Sequence, residues 1–342
     1  MSDSQEKLLF RLQHIIPRNL SSVKDDRLYG PEEITFEMPW GKVAGKQLIH
    51  NCIQIVLHLN LCYFHLAKVW GPPNGRPVLA LHGWLDNAAT YDALIPLLPT
   101  DLRIVCLDIP GHGYSDHYPR EIQYHYVDCL PGIQRLAKHL NWETFSIIGH
   151  SLGGGLALLF AQIFPEKVEK LVLLDIVRVE TTRPETIGIR LRKSVNTILK
   201  EEEAIGAGHE KPCSYETALK RTIRGSGNSL DAEACKILLS RGITEVDGGF
   251  IFRRDRRLRS APLDFAPKED HLILATKVTA EVLIVKSKDG PYFESPECYA
   301  EQIEALRTNS KKLEYVEVEG KHHVHLTHPQ RIAPHIFKLF ST

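Results

Sequence analysis

Short apolar runs rich in Val, Ile and Leu recur along most of the chain, and longer stretches with helical spacing of apolar residues follow them. Continuously apolar runs predict strands buried on both faces, and the stretches between them predict crossover helices. The predicted strands are Val78–Leu81, Arg103–Leu107, Phe145–Ile148, Lys170–Leu174, Val282–Val285 and Leu313–Val318. The predicted helices are Tyr91–Leu98, Val127–Leu140, Leu152–Phe164, Pro296–Thr308 and Pro329–Phe340. This alternation predicts an α/β fold with a mostly parallel central sheet flanked by helices.

The alternation is interrupted between residues 178 and 275, where the sequence is charged and favours helices. We interpret this segment as a helical cap inserted into an α/β core made of residues 34–177 and 276–342. Residues 1–33 are polar and mixed in composition, and we expect them to form a flexible N-terminal extension. The basic run from Arg253 to Arg257 is expected on a solvated face of the cap, paired with acidic neighbours. Binding of an acidic group is the alternative for that run.

Residues 47–67 differ from the sequence on either side because they are largely apolar and contain no Asp, Glu, Lys or Arg. Their length is sufficient to span a bilayer, which takes about 20 apolar residues. However, polar side chains are spread over every face of such a helix, at Gln47, His50, Asn51, Gln54, His58, Asn60 and His65. We therefore interpret the segment as an insertion in the N-terminal hairpin, with membrane contact as the less favoured alternative.

Charge and cysteine content narrow the classes of function. Lys plus Arg and Asp plus Glu each number 42, so the formal net charge is zero and nucleic-acid binding has no general electrostatic basis. The seven cysteines include no CxxC pair, which argues against a zinc ribbon and is typical of a reducing compartment. Neither terminus carries a recognisable targeting signal. We expect a cytoplasmic location, with a peroxisomal or vesicle-associated location as the alternative.

The most specific motif is Gly149-His150-Ser151-Leu152-Gly153, which follows an apolar run and precedes a helical one. This is G-x-S-x-G in the strand–turn–helix context that a nucleophile elbow requires. The tight turn exposes the Ser151 hydroxyl at the carboxyl end of the strand, and the glycines keep neighbouring side chains away from it. The free amides at the start of the following helix point to the same place.

Two further motifs supply the other groups that an activated serine needs. An oxyanion hole requires two backbone donors, and we predict the amides of Leu152 and of Trp84, which follows the first buried strand in His82-Gly83-Trp84. The general base is predicted to be His322, the first of four histidines after the last strand; the others are His323, His325 and His328. A metal site is the alternative for these histidines, but no carboxylate or cysteine lies within their run.

The acid that orients the histidine has two candidates. Asp289 follows the strand that ends at Val285, in a loop expected beside the histidine loop, and we favour it. Asp175 ends the run LVLLD after the elbow helix and is the rival. An aspartate in that position is more often a structural hydrogen-bonding residue.

Together these elements resemble the α/β-hydrolase superfamily over about residues 31–342. The motifs that carry the resemblance are LHGWLDNA, LDIPGHGYS, IIGHSLGGG, the Asp289 loop and the His322 loop. The segments FEMPWGKVAGK, GGFIFRRDRRL and VEGKHHVHLTHPQRIA are similar to those of the serine hydrolase-like proteins of animals. The resemblance implies a capped hydrolase without a cofactor, in which Ser151, Asp289 and His322 form the triad. It does not supply a substrate.

The sequence departs from the family pattern at two places. Lys286 stands where many relatives have glycine, at the end of the strand before Asp289. The pattern PWGKVAGKVWG is interrupted after Lys46 by the apolar segment, so GKVAGK and FHLAKVWG compete for the same strand. The insertion is therefore interpreted either as a functional addition or as an alternative splice or gene-model variant.

These observations predict a carboxylesterase-like serine hydrolase (EC 3.1) that cleaves an ester or similar acyl substrate through an acyl-enzyme. The cap and Trp84 favour a partly apolar small molecule as the partner. No metal or other cofactor is expected. The alternative is a catalytically weak or inactive relative that binds a small molecule. An epoxide hydrolase or dehalogenase needs a carboxylate nucleophile, and Ser151 occupies that position.

Overall fold

The apolar runs predicted as strands form one sheet in the computed structural model, which describes residues 32–37, 64–120, 122–178, 184–206, 211–260 and 266–341. The strands of that sheet are β1 (Glu32–Glu37), β2 (Phe64–Trp70), β3 (Arg76–Leu81), β4 (Leu102–Leu107), β5 (Phe145–His150), β6 (Val168–Leu174), β9 (Glu281–Ser287) and β10 (Lys312–Val318). Two short strands, β7 (Ile243–Val246) and β8 (Gly249–Phe252), form a separate hairpin.

Within the described residues the large sheet has eight strands in the order β1-β2-β4-β3-β5-β6-β9-β10. The pairs β1–β2 and β2–β4 are antiparallel, and all other neighbours are parallel. The prediction of an α/β fold with a mostly parallel sheet is confirmed. The carboxyl ends of β3, β4, β5, β6, β9 and β10 therefore meet at one edge, where the predicted site residues lie.

The strand next to β1 is built from the second of the two competing copies, Phe64–Trp70. Residues 64–67, which the sequence analysis assigns to the apolar insertion, thus belong to β2 and continue into its pairing with β4 at Ala67. The rest of the insertion, residues 47–63, lies outside the described residues, as do residues 1–31 of the N-terminal extension. Glu32 and Glu33, which the sequence analysis also assigns to that extension, belong instead to β1.

Helices cover both faces of the sheet. Their bounds are α1 (Cys129–His139), α2 (Leu152–Ile163), α3 (Ile187–Gly206), α4 (Tyr215–Gly225), α5 (Ala232–Gly242), α6 (Lys268–Ala275), α7 (Pro296–Arg307), α8 (Val324–Thr327) and α9 (Ala333–Phe340). Apolar side chains of α1, α2 and α7 pack into the core on one face, and those of α9 pack on the other. The two layers hold the sheet as a rigid platform, since burial of apolar surface on both faces stabilises it.

One segment that the sequence predicts as an α-helix has a different secondary structure. Residues 91–98 were expected to form a helix, but the structure has two short 3-10 turns, Ala88–Tyr91 and Ile95–Leu97. Pro96 lacks an amide hydrogen, and Leu98 is extended because Pro99 follows it. The final predicted helix likewise begins as a 3-10 turn, Pro329–Arg331, before α9.

The segment interpreted as a cap contains α3 to α6 and also the β7–β8 hairpin, which the sequence analysis did not predict. Gly248 and Gly249 both have positive φ, and such backbone permits a tight connection between strands. We expect the basic run from Arg253 to Arg257 to be solvated and paired with acidic neighbours, and the structure agrees with this only in part. Arg256 pairs with Glu201, but Arg257 is buried rather than solvated, and it pairs with Asp255.

None of the helices in the described part of the chain combines the length and the apolar character needed to cross a bilayer.

Candidate active site

Ser151 occupies the sharp turn between β5 and α2. Its backbone angles are φ 50° and ψ −118°, a region that L-residues rarely adopt and that the surrounding structure must enforce. The flanking glycines are needed for close packing. A Cβ on Gly149 would lie 2.4 Å from the carbonyl oxygen of Gly153, and one on Gly153 would lie 2.1 Å from that of Leu81. The turn therefore has the geometry that G-x-S-x-G predicts.

His322 lies in the loop after β10, and its Nδ1 is 2.6 Å from Oδ2 of Asp175. The side chain of His322 is mostly buried, and that of Asp175 is fully so. This contact corrects the preferred assignment. The structure pairs His322 with Asp175, the rival candidate, and not with Asp289.

Asp289 is exposed and contributes its backbone rather than its side chain. Its amide donates to the carbonyl of Gly320 at 3.0 Å, which ties the loop after β9 to the histidine loop. The neighbouring Gly290 packs directly against the buried acid, because a Cβ there would lie 2.2 Å from Oδ2 of Asp175. The loop after β9 thus contacts the site through its backbone, and the Asp289 carboxylate is exposed to solvent.

Backbone hydrogen bonds hold Ser151, Asp175 and the histidine loop at one edge of the sheet. The amide of Ser151 donates to the carbonyl of Leu174, and the amide of Asp175 donates to that of Val285. Asp175 has a positive φ of 55°, which aspartate tolerates better than most residues. The turn after β6 therefore lies between the strand that ends in the elbow and β9, and its carboxylate contacts the end of β9 and the histidine loop.

Asp175 has a second charged partner that the sequence analysis did not connect with it. Nζ of Lys286, fully buried, is 2.6 Å from Oδ1 of Asp175, and the amide of Ser287 donates to the same oxygen at 2.9 Å. Burial raises the pKa of Asp175, but the hydrogen bonds and charges of His322 and Lys286 outweigh it, so that the pKa lies below its usual value. The carboxylate is therefore ionised at neutral pH and shared by two cationic or polar partners.

The two predicted oxyanion donors lie at the start of α2 and in the loop after β3. Leu152 is the first residue of α2, where an amide has no intrahelical acceptor. Trp84 lies in the loop after β3, which is held in place by two histidines. Nε2 of His82 accepts from the amide of Ile109, and Nε2 of His112 accepts from the amide of Leu85. Neither predicted donor makes a hydrogen bond to another described residue.

The other histidines of the loop after β10 have separate partners. Nδ1 of His323 is 2.6 Å from Oγ of Ser229, and Nε2 of His325 is 2.8 Å from Oγ1 of Thr90. The ring of His328 forms a hydrogen bond with its neighbour Thr327, at 3.1 Å between Nδ1 and Oγ1. Two buried residues that the sequence analysis did not single out, Asp86 and His150, lie beside this group. His150 was visible only as the variable residue of the elbow, and Asp86 only as part of LHGWLDNA.

A depression elsewhere on the surface is lined by Arg76, Leu98, Asp101, Phe337 and Phe340. It lies at the amino ends of β3 and β4, on the edge opposite Ser151 and His322. We assign it no part in the chemistry of the site.

Comparison with known proteins identifies the family of the chain. Residues 76–194 match the α/β-hydrolase fold family. The chain is 36% identical over 303 residues to a serine hydrolase-like protein of Danio rerio, which covers 88% of this chain and 86% of the relative. It is 35% identical over 312 residues to serine hydrolase-like protein 2 of Homo sapiens, with 88% and 91% covered. The crystal structure of a hypothetical protein from Pseudomonas aeruginosa PAO1 matches with a TM-score of 0.70 at 32% identity, covering 82% of this chain and 95% of that one. This chain therefore belongs to the serine hydrolase-like proteins of the α/β-hydrolase fold and is a hydrolase.

Proposed function

We propose that the protein cleaves an ester or similar acyl substrate through an acyl-enzyme formed on Ser151. His322 removes the hydroxyl proton while Ser151 attacks the carbonyl carbon, and the amides of Trp84 and Leu152 stabilise the oxyanion. His322 then gives its proton to the leaving alcohol. Water attacks the acyl-enzyme with His322 as base, which releases the acid and restores Ser151.

In this proposal Asp175 replaces Asp289 as the acid of the triad. It orients His322 through Nδ1, so that Nε2 is the ring nitrogen that exchanges the proton, and its charge stabilises the imidazolium. The observation that carries the proposal is the contact of 2.6 Å between His322 and a buried, ionised Asp175 at the edge of the sheet where Ser151 turns.

The side chains around His322 support a partly apolar substrate. The ring of Phe293 packs edge-on against that of His322, with 5.7 Å between centroids, yet 39% of Phe293 stays exposed. The adjacent Tyr292 is also exposed. Exposed aromatic rings beside a catalytic group form the kind of surface that binds an acyl chain or an apolar alcohol.

Labelling with a fluorophosphonate probe tests the proposal directly, because the probe reacts with an activated serine. Wild type is expected to be labelled once, at Ser151, and Ser151→Ala is expected to lose the label and the hydrolysis of p-nitrophenyl esters. Ser240→Ala, which removes an exposed cap serine, is the control and keeps both. A folded wild type that neither reacts with the probe nor hydrolyses any ester in a panel of varied chain length would refute the proposal.

A second candidate is a catalytically weak relative that binds a small molecule. The observation in its favour is Lys286, whose charge competes with His322 for the carboxylate of Asp175. Slow labelling of wild type that speeds up in Lys286→Met would favour this candidate. Labelling at an ordinary rate that does not depend on Lys286 favours the esterase.

A further inference from the structure

Three buried side chains converge beside the elbow, outside the proposed triad. Oδ2 of Asp86, in the loop after β3, is 3.6 Å from Nδ1 of His150 and 3.3 Å from Nε2 of His323. All three residues are at least nine-tenths buried. Oδ2 of Asp86 and Nδ1 of His150 have no hydrogen-bond partner among the described residues. Unpartnered buried polar atoms are costly and call for an explanation.

The protonation of His150 follows from its other nitrogen. Nε2 of His150 is 2.9 Å from the carbonyl oxygen of His322, and a carbonyl oxygen only accepts hydrogen bonds. Nε2 therefore carries the proton. In the neutral ring, Nδ1 then presents a bare lone pair to the Asp86 carboxylate.

The same reasoning applies to His323. Oγ of Ser229 donates its hydrogen to the carbonyl of Ser226 at 2.7 Å, so it accepts from Nδ1 of His323 at 2.6 Å. Nδ1 of His323 therefore carries a proton. When the ring is in its neutral form, Nε2 presents its lone pair to Asp86.

With both rings in their neutral form, the two imidazole nitrogens and the Asp86 oxygen offer three lone pairs and no donor, and these atoms lie within 4.8 Å of one another. We propose that this group, Asp86, His150 and His323, is a binding site for a divalent transition-metal ion, with Zn²⁺ the best match. Zinc binds nitrogen and carboxylate oxygen at about 2.0–2.2 Å in tetrahedral geometry, which corresponds to ligand separations of about 3.3–3.6 Å. The observed separations from Asp86 of 3.3 and 3.6 Å match that spacing.

The surroundings of the group also fit a metal site. Ligating histidines usually donate their second N–H to a backbone carbonyl or a polar side chain, which orients the ring. His150 does so with a carbonyl and His323 with a hydroxyl. Space beside the ligand atoms depends on Gly83, because a Cβ there would lie 2.7 Å from Nδ1 of His150 and 3.0 Å from Oδ2 of Asp86.

The run of histidines alone does not reveal the site, since its carboxylate comes from the loop after β3 and its second imidazole from the end of β5. A bound ion joins the loops after β3 and β10 to the residue before Ser151. The site does not depend on the proposed esterase function, because none of its ligands belongs to the proposed triad.

Zinc binding to the full chain, measured by isothermal titration calorimetry after tag removal and treatment with a chelator, tests the proposal. Wild type is expected to bind one Zn²⁺, with a rise in Tm. Asp86→Asn and His323→Gln are expected to bind it at least about 100-fold more weakly, more than the loss of a supporting residue costs. His328→Gln, which removes a histidine from the same loop, is the control and binds as wild type does.

Co²⁺ distinguishes this site from the cysteines. Substitution is expected to give visible bands without the near-ultraviolet absorption of thiolate ligands. Wild type that binds no Zn²⁺, binding that survives both ligand substitutions, or a thiolate spectrum would each overturn the proposal. If Asp86→Asn fails to fold by circular dichroism, His323→Gln and the stoichiometry of wild type decide the question. Esterase activity is not a readout, so failure of this site and failure of the proposed function remain distinguishable.

Discussion

Asp175 and Lys286 form a fully buried ion pair, with 2.6 Å between Oδ1 and Nζ, on the opposite side of the carboxylate from His322. One carboxylate therefore serves two partners, His322 through Oδ2 and Lys286 through Oδ1. The ring of Tyr292 lies 4.5 Å from Nζ of Lys286 and adds a cation–π contact. Lys286 is thus held in place by charge and packing, which explains how a lysine is accommodated at the end of a buried strand.

The assignment of the acid predicts different effects for two aspartates. Asp175→Asn is expected to lower kcat/KM for an ester substrate by about three to four orders of magnitude, because the amide favours the wrong tautomer of His322. Asp289→Asn is expected to leave kcat/KM within about twofold, since this exposed side chain does not contact His322. Steady-state kinetics of the two variants, with folding checked by circular dichroism, decide between the assignments. A large loss in Asp289→Asn alone would restore the original assignment.

Lys286→Met is expected to lower the free energy of unfolding at pH 7 by about 3–5 kcal/mol, the usual cost of removing one partner of a buried pair. This loss of unfolding free energy is expected to depend on pH in one direction. The pKa of Asp175 lies below its unfolded value, so its contribution to stability is present above about pH 4 and is lost as pH falls further. Lys286→Met removes part of that contribution. The difference in unfolding free energy between wild type and Lys286→Met should therefore become smaller below about pH 4.

Urea unfolding of both proteins between pH 3 and pH 7 measures this difference. Lys288→Met is the matched control, because Lys288 pairs with Glu319 on the surface and both side chains are largely exposed. Its stability should equal that of wild type, as expected for a solvent-screened pair. A loss in Lys286→Met that does not change with pH would indicate that packing, rather than the charge on Asp175, accounts for the effect.

Local sequence patterns predicted those parts of the fold and site that depend on local interactions. Continuous Val, Ile and Leu runs identified the parallel strands because burial on both faces demands them, and the spacing of Gly149, Ser151 and Gly153 predicted the elbow. The choice between Asp175 and Asp289 depends instead on how the loop after β9 packs. Both aspartates follow buried strands, and only the main-chain approach of Gly290 and the position of Lys286 distinguish them.

Features formed by distant segments were not predicted. The group of Asp86, His150 and His323 joins two loops to the end of β5, and the run of histidines that contains His323 includes no carboxylate that would point to Asp86. The β7–β8 hairpin was missed because its strands are short and lie in a charged segment that otherwise favours helices. Tertiary contacts rather than local propensity decide such elements.

A buried ion pair between the cap segment and the core predicts a large stability effect. Nε of Arg241, in α5, is 2.6 Å from Oδ2 of Asp108, which follows β4, and its terminal nitrogens bind Glu33 of β1. Arg241→Met is expected to destabilise the protein by about 3–5 kcal/mol, because it leaves the buried Asp108 charge without this partner. Thermal and urea unfolding measure the loss. Lys236→Met, on the same helix but exposed, is the control, and equal stability of the two variants would contradict the prediction.

Two glycine substitutions are expected to act in opposite directions. Gly153→Ala places a Cβ 2.1 Å from the carbonyl oxygen of Leu81, so the elbow helix must move away from β3, and we expect loss of soluble folded protein. Gly188→Ala, in α3, meets no atom within 4 Å and should stabilise the protein by about 0.5–1 kcal/mol. Soluble yield and Tm measure both effects. A folded, fully stable Gly153→Ala would contradict the packing described for the elbow.

His112 predicts how stability depends on pH in mildly acidic solution. Its Nδ1 donates to the carbonyl of Pro110 at 3.0 Å, and its Nε2 accepts from the amide of Leu85 at 3.2 Å. Protonation of Nε2 would break the second bond within a buried site, and burial lowers the pKa of His112 to about 3. Between the unfolded pKa of about 6.5 and this value, the unfolded chain binds a proton that the folded protein does not. Stability therefore falls as pH falls, by up to about 1.4 kcal/mol per pH unit from this residue.

His112→Gln removes that titration, so the fall in unfolding free energy from pH 6.5 to pH 5 should be smaller by about 1.6 kcal/mol than in wild type. His112→Gln is expected to be less stable than wild type at pH 7, because the contact with Leu85 is weakened. The titration is tested only by how the unfolding free energy changes with pH. Urea unfolding at closely spaced pH values measures it. His139→Gln, which removes an exposed histidine at the end of α1, is the control and should keep the wild-type slope. Equal slopes in wild type and His112→Gln would mean that the imidazole is protonated in the folded protein and that its bond from the Leu85 amide does not persist below pH 6.5.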